Sequence, residues 1–190
     1  MTEEARIELH GSATCPFTWY VRIAARLKGL DFDWVRSDAD PSDPRRAHNT
    51  TGRTPFLYDG GFALFESGVI AAYIDESYAG PSLMPRDAKE RARARLALVE
   101  LDPLYTRPDP PPETRKAAED ALARLDAMLG DGRSFLNGDS PGLVDAFVWP
   151  GLHILGREKV AIPEGLKAAG AYWERSRAHD AYTATKPSAW

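Results

Sequence analysis

Three short stretches of the 190-residue chain carry side chains that can do chemistry. The first is TCPFT, where Cys15, the only cysteine, stands immediately before Pro16. Tyr20, Ile23, Ala24 and Leu27 follow at helical spacing, and Gly29 stands where a helix closes. Proline suits the first helical position, where its absent N–H costs nothing, so a helix starting at Pro16 makes Cys15 its N-cap. The side chain is then expected to face the free N–H groups of Phe17 and Thr18. A thiolate placed there gains hydrogen bonds and the positive end of the helix dipole, the setting of reactive thiols. A small buried hydrophobe is the other use of such a residue.

The second stretch is TGRTPFLYDGG. Pro55 opens a short strand after Thr54, a natural place for a cis peptide, although only about 5–6% of X–Pro bonds are cis. The third is FESG, where Glu66 and Ser67 lie between a strand and a helix. Free amides and a hydroxyl at a helix start seat a carboxylate, and a neighbouring glutamate holds an ammonium. A ligand with both groups on one carbon, an amino-acid end, satisfies the pair. Serine is also a preferred helix cap, so plain capping is the alternative.

The elements that must position these residues are legible in the periodicity. RIELH (6–10) and DFDWV (31–35) alternate and read as strands. PSDPRRAHNTTGR (41–53) is turn-rich, with room for one short helix. PFLYDGGFALF reads as a β-hairpin around Asp59-Gly60-Gly61, and ESGVIAAYIDESY as a helix. The first eighty residues therefore follow the order β-α-β-(α)-β-β-α. Beyond them the pattern is helical: one long helix over 85–105, one starting near Pro112, an apolar helix over 142–155, and a last one carrying Leu166, Ala169 and Trp173. This is an α/β domain over 1–79, a linker at 80–85 and an all-helical domain over 86–190.

Bulk composition narrows the function. Apolar residues make up 43% and charged residues 27%, which suits a soluble globular chain with a real core. A net charge of −4 gives no basic surplus for nucleic acid. The longest apolar stretch, 68–74, is too short to span a membrane. The start of the chain has no secretory pattern, and a single cysteine fits a reducing cytoplasm. No two of the four histidines are three or four residues apart, so a metal site has little support.

The order thiol-Pro, GRTP, FLYDGGFALFESGVIAAYI and then helices resembles the cytosolic glutathione S-transferase superfamily, most strongly over 7–78. CPF is similar to its cysteine-type, omega-like and thiol-transferase-like members. WYVRIAARLKG resembles the zeta class, which uses serine where this chain has Cys15. FLNGDSPGLVDAF resembles the family's capped core helix, with Asp145 matching the aspartate but Gly142 in place of the hydroxyl residue. NTTGRTP departs from the more usual NPxGKVP.

The resemblance implies a thioredoxin-like domain followed by a helical bundle. It implies Cys15 as catalytic thiol and glutathione as co-substrate, with no metal. Thr54 and cis-Pro55 would align the cysteinyl backbone of glutathione, Glu66 and Ser67 its γ-glutamyl end, and Arg53 its glycyl carboxylate. Asp102, on the long helix, would reach across a homodimer to the glutathione amine. Phe17 is a candidate for lining a pocket for a small electrophilic or disulfide substrate. Trp19 reads as a core or rim residue with Tyr20 and Trp34, although its place one helical turn after the thiol makes it a second candidate for that pocket. The expected reaction is glutathione-dependent thiol transfer or reduction. A zeta-like cis–trans isomerase and a non-catalytic binding module of the same fold are the alternatives.

Overall fold

The computed structural model describes residues 7–36, 49, 52–106 and 108–190. Residues up to Pro81 and the segment Thr185–Trp190 form one compact unit, and Ser82–Ala184 another. The short helix expected within 41–53 falls outside the described residues, apart from 49 and 52–53.

The first unit is built on four strands: β1 (Glu8–Gly11), β2 (Asp33–Arg36), β3 (Phe56–Asp59) and β4 (Phe62–Phe65). Their order is β2-β1-β3-β4, with β1 parallel to β2 and the other pairs antiparallel. A parallel pair needs a crossover, and α1 (Pro16–Lys28) supplies it between β1 and β2. β3 and β4 pair Asp59 with Phe62, so Gly60 and Gly61 are the whole turn. Both have positive φ, 54° and 98°, as the tight hairpin twist requires.

Helices α1 and α2 (Ser67–Ser77) cover the sheet through one apolar cluster: Ile7, Leu9, Val21, Ala25, Leu57, Ile70 and Ile74. Each of the valine, leucine and isoleucine side chains contributes roughly 1.5–3 kcal/mol when fully buried. α1 closes on Gly29 in the left-handed region at φ 75°, and Leu30 N–H donates to the Ala25 carbonyl. Its last residue, Lys28, is buried with Asp75, at 4% and 7% side-chain exposure. Lys28 Nζ donates to Asp75 Oδ1 at 2.9 Å, to the Asp75 carbonyl at 2.7 Å and to the Pro81 carbonyl at 3.1 Å. Three acceptors for three protons is what makes a buried ammonium tolerable.

The second unit holds α3 (Ala88–Glu100), α4 (Pro112–Met128), α5 (Leu143–Arg157), α6 (Lys167–Ala178) and α7 (Asp180–Thr183). Asp87 caps α3 by accepting from the N–H groups of Lys89 and Glu90. The long helix expected over 85–105 is shorter than the periodicity suggested. It stops at Glu100, and Asp102–Leu104 form a 3-10 turn instead. Pro103 explains this: it lacks an N–H and disfavours α geometry in the residue before it. Asp102 is therefore an exposed turn residue, not a residue of the long helix. The segment 185–190, expected with the helices, belongs to the first unit.

α5 is the core of the second unit, buried from Leu143 through Leu152. Fully buried Asp145 accepts from the N–H groups of Leu136, Asn137 and Gly142 and from the Tyr172 hydroxyl. Burial pushes its carboxyl up to about 6, against hydrogen bonds that favour the ionised form. Gly142 caps α5 without a side chain, and the Leu83 carbonyl accepts from Leu143 N–H at 2.9 Å in place of a hydroxyl. A Cβ at Gly142 would lie 2.4 Å from that carbonyl oxygen and 2.9 Å from Asn137 Cβ. Gly142→Ser, which restores the family's usual residue type, is therefore expected to destabilise the protein by about 1–3 kcal/mol. Urea unfolding measures this, and a serine variant as stable as the parent would refute the crowding argument.

Candidate functional site

The sheet register brings three separate turns to one end. His10 of β1 pairs with Phe56 of β3, and Phe56 pairs with Phe65 of β4. The residues that follow β1, precede β3 and follow β4 therefore share one edge. They are the turn leading to Cys15, the Thr54-Pro55 dipeptide and Glu66-Ser67.

The turn after β1 is tight. The Thr18 side chain sits over Gly11, where a Cβ would meet Thr18 Cγ2 at 2.3 Å. Cys15 N–H donates to the Ser12 carbonyl, and the Cys15 carbonyl accepts from Trp19 N–H at 3.0 Å as the first bond of α1. Cys15 is thus the N-cap by backbone, at φ −79° and ψ 119°. Its sulfur does not cap: no side-chain bond to the helix amides is made. The half-buried thiol instead donates to the Thr54 carbonyl at 3.7 Å. That directs the sulfur toward the neighbouring loop and not along the helix axis.

Thr54-Pro55 is a cis peptide, placed directly before β3. Pro55 is buried and Thr54 half-buried, while Arg53 is exposed. The loop before them is stapled by Asn49, a residue whose role the sequence reading did not identify. Asn49 Nδ2 donates to the Arg53 carbonyl at 2.6 Å, and Asn49 Oδ1 accepts from Gly52 N–H at 3.1 Å. The signal for it was an asparagine three residues before a glycine, a common turn staple.

Glu66 stands between β4 and α2 with its side chain exposed and φ at 70°. Glu66 is the N-cap of α2 and makes no side-chain cap bond, and Ser67 is the first helical residue. The backbone is held in a region that costs a side-chain-bearing residue roughly 1–3 kcal/mol. Phe17, beside Cys15, is 37% exposed. Trp19 is only 1% exposed, in keeping with a core residue and not a pocket-lining one, and its indole N–H donates to Thr185 Oγ1. Asp102 lies in the other compact unit. No group of three or more His, Cys, Asp or Glu side chains able to hold a metal occurs among the described residues. Nor is any described helix long and apolar enough to cross a membrane.

Residues 9–82 match the family model described as glutathione S-transferase, N-terminal domain, and residues 87–182 match that of the C-terminal domain. The chain belongs to the glutathione S-transferase family. This is a transferase enzyme family, and the first unit has its thioredoxin-like architecture. The probable glutathione S-transferase GSTU6 of rice, Oryza sativa subsp. japonica, is 32% identical over 98% of this chain and 91% of its own length. The mouse omega-1 glutathione S-transferase is 27% identical over 77% of this chain, but the match spans only 66% of the mouse protein. The maleylacetoacetate isomerase of Pseudomonas aeruginosa is 32% identical over 76% of this chain and 79% of its own length. Among solved structures, rice GST1 in complex with glutathione superposes with a TM-score of 0.82 at 25% identity, covering 98% of this chain and 92% of the other.

The strained glutamate provides a test of how this glutathione S-transferase builds its site. Glycine ordinarily costs roughly 0.5–1 kcal/mol relative to alanine in regular structure. At this position the order should reverse, with Glu66→Gly more stable than Glu66→Ala by about 1 kcal/mol in urea unfolding. An alanine variant at least as stable as the glycine one would mean that no strain is stored there.

Proposed function

We propose that the protein is a cysteine-type glutathione-dependent thiol transferase. The observation that carries this reading is the Cys15 sulfur, half-buried at the start of α1 and facing the Thr54 carbonyl beside cis-Pro55. In the proposed reaction, Cys15 as thiolate attacks the glutathionyl sulfur of a mixed disulfide. The disulfide breaks, the other sulfur leaves and takes up a proton, and glutathione is left bonded to Cys15. A second glutathione, as thiolate, attacks that bond, releases glutathione disulfide and restores the Cys15 thiolate. An electrophilic carbon is the alternative target of the first step.

Glutathione is positioned in this reading by the turns at the sheet end. The backbone of Thr54 and cis-Pro55 aligns its cysteinyl backbone. The unused amides of α2, with Ser67, take the γ-glutamyl carboxylate, and Glu66 takes the amine. Arg53 takes the glycyl carboxylate. The exposure of Glu66 and Arg53 and the lack of a side-chain cap on α2 support these roles.

The likeness to the Pseudomonas aeruginosa maleylacetoacetate isomerase favours a second reading, a glutathione-dependent cis–trans isomerase. A homodimer belongs to the same proposal, with Asp102 contributing across it. α3 supports it, as no residue of this thirteen-residue helix is buried and Leu96 and Val99 are 55% and 71% exposed. A single cysteine suits residence in a reducing cytoplasm.

Glutathione-dependent reduction of a small mixed disulfide is the deciding assay. Cys15→Ala should lose at least about 100-fold in kcat/KM. Retained turnover in the variant would remove Cys15 from the mechanism. No turnover in either protein, with isomerisation of an unsaturated acid in the parent, would favour the second reading. The doubly substituted Leu96→Glu, Val99→Glu protein should elute at half the apparent mass of the parent. Unchanged elution would reject α3 as the dimer face.

A further inference from the structure

Trp19 lies one helical turn beyond Cys15, and its backbone N–H makes the bond to the Cys15 carbonyl. Its indole is gripped by a segment far along the chain. Nε1–H donates to Thr185 Oγ1 at 2.9 Å in a buried setting. The Trp190 ring stands edge-on to it, with centroids 5.3 Å apart and planes at 75°. Thr185 and Pro187 are themselves buried, in the same compact unit as α1.

The first turn of a helix is held by few intrahelical bonds, so its position depends on what its side chains touch. Thr185 and Trp190 are among the groups that the Trp19 side chain touches. We propose that these two are positioning residues for Cys15, acting through Trp19 on the first turn of α1. With the grip in place, the sulfur stays on the Thr54 carbonyl. Without it, the buried indole N–H must find another acceptor, the turn loosens, and the sulfur becomes more accessible but less well aimed. The catalytic part of this proposal rests on the thiol-transferase reading above.

The test uses all 190 residues. Thr185→Val removes the acceptor at nearly constant shape, Thr185→Ser keeps it, and Trp190→Ala removes the ring. Cys15 is the only cysteine, so iodoacetamide alkylation reports on its sulfur alone. Thr185→Val and Trp190→Ala should alkylate at least about threefold faster than the parent. Their kcat for mixed-disulfide reduction should fall at least about fivefold, with the glutathione KM nearly unchanged. Thr185→Ser should match the parent in both. Parental alkylation rates in Thr185→Val and Trp190→Ala would overturn the proposal, as would a serine variant that behaves like the valine one. If Trp190→Ala does not fold, the valine and serine pair decides alone. A parent without turnover would sink the thiol-transferase reading, while the alkylation series would still decide whether the segment positions the sulfur.

Discussion

Phe56 stands in the sheet between His10 and Phe65, and the candidate site follows from that register. A slip of one residue in β3 would turn Leu57 out of the apolar cluster and carry Thr54 away from Cys15. The register is defended by burial on one face: Leu9, Leu57, Ile70 and Ile74 meet only in this alignment. It is also defended by the two-glycine turn, whose backbone twist fixes how β3 and β4 meet. Core packing and site geometry are therefore one constraint. The side chains that hold the sheet also decide which turn ends face each other.

Two buried charges lock the elements around that frame. Lys28 ties the end of α1 to Asp75 on α2 and to the chain at Pro81, with each proton accepted. Gly80 packs so close to the Lys28 carbonyl that a Cβ there would lie 2.2 Å from it. In the second unit, Asp145 gathers three backbone N–H groups and a tyrosine hydroxyl. Both groups would be costly if half-satisfied, roughly 3–5 kcal/mol for a broken buried pair. Both are nearly completely satisfied, and so they specify geometry in addition to filling space.

The sequence revealed what local chemistry decides. The helix start at Pro16, the hairpin at Asp59-Gly60-Gly61, the cis bond at Thr54-Pro55 and the junction at Glu66-Ser67 all depend on a few adjacent residues. What escaped it depends on distant partners. The Cys15 sulfur is drawn off the helix axis by a carbonyl 39 residues away. Trp19 is claimed by a threonine 166 residues away, which no periodicity can show. Gly142 read as a departure from the usual hydroxyl residue, whereas the nearby Leu83 carbonyl leaves no room for any side chain. The early end of α3 was legible after all, because Pro103 was visible.

The first compact unit is discontinuous in sequence, closed by Thr185–Trp190 only after all of Ser82–Ala184. Synthesis runs from the N-terminus, and domains generally fold as they emerge. This one cannot. Its sheet and first helix leave the ribosome long before the residues that cover Trp19, so the nascent unit carries an open aromatic patch. A fragment ending near Pro81 would keep that patch permanently. The two units are thus bound to a single order of completion, in which the second must be made before the first is whole.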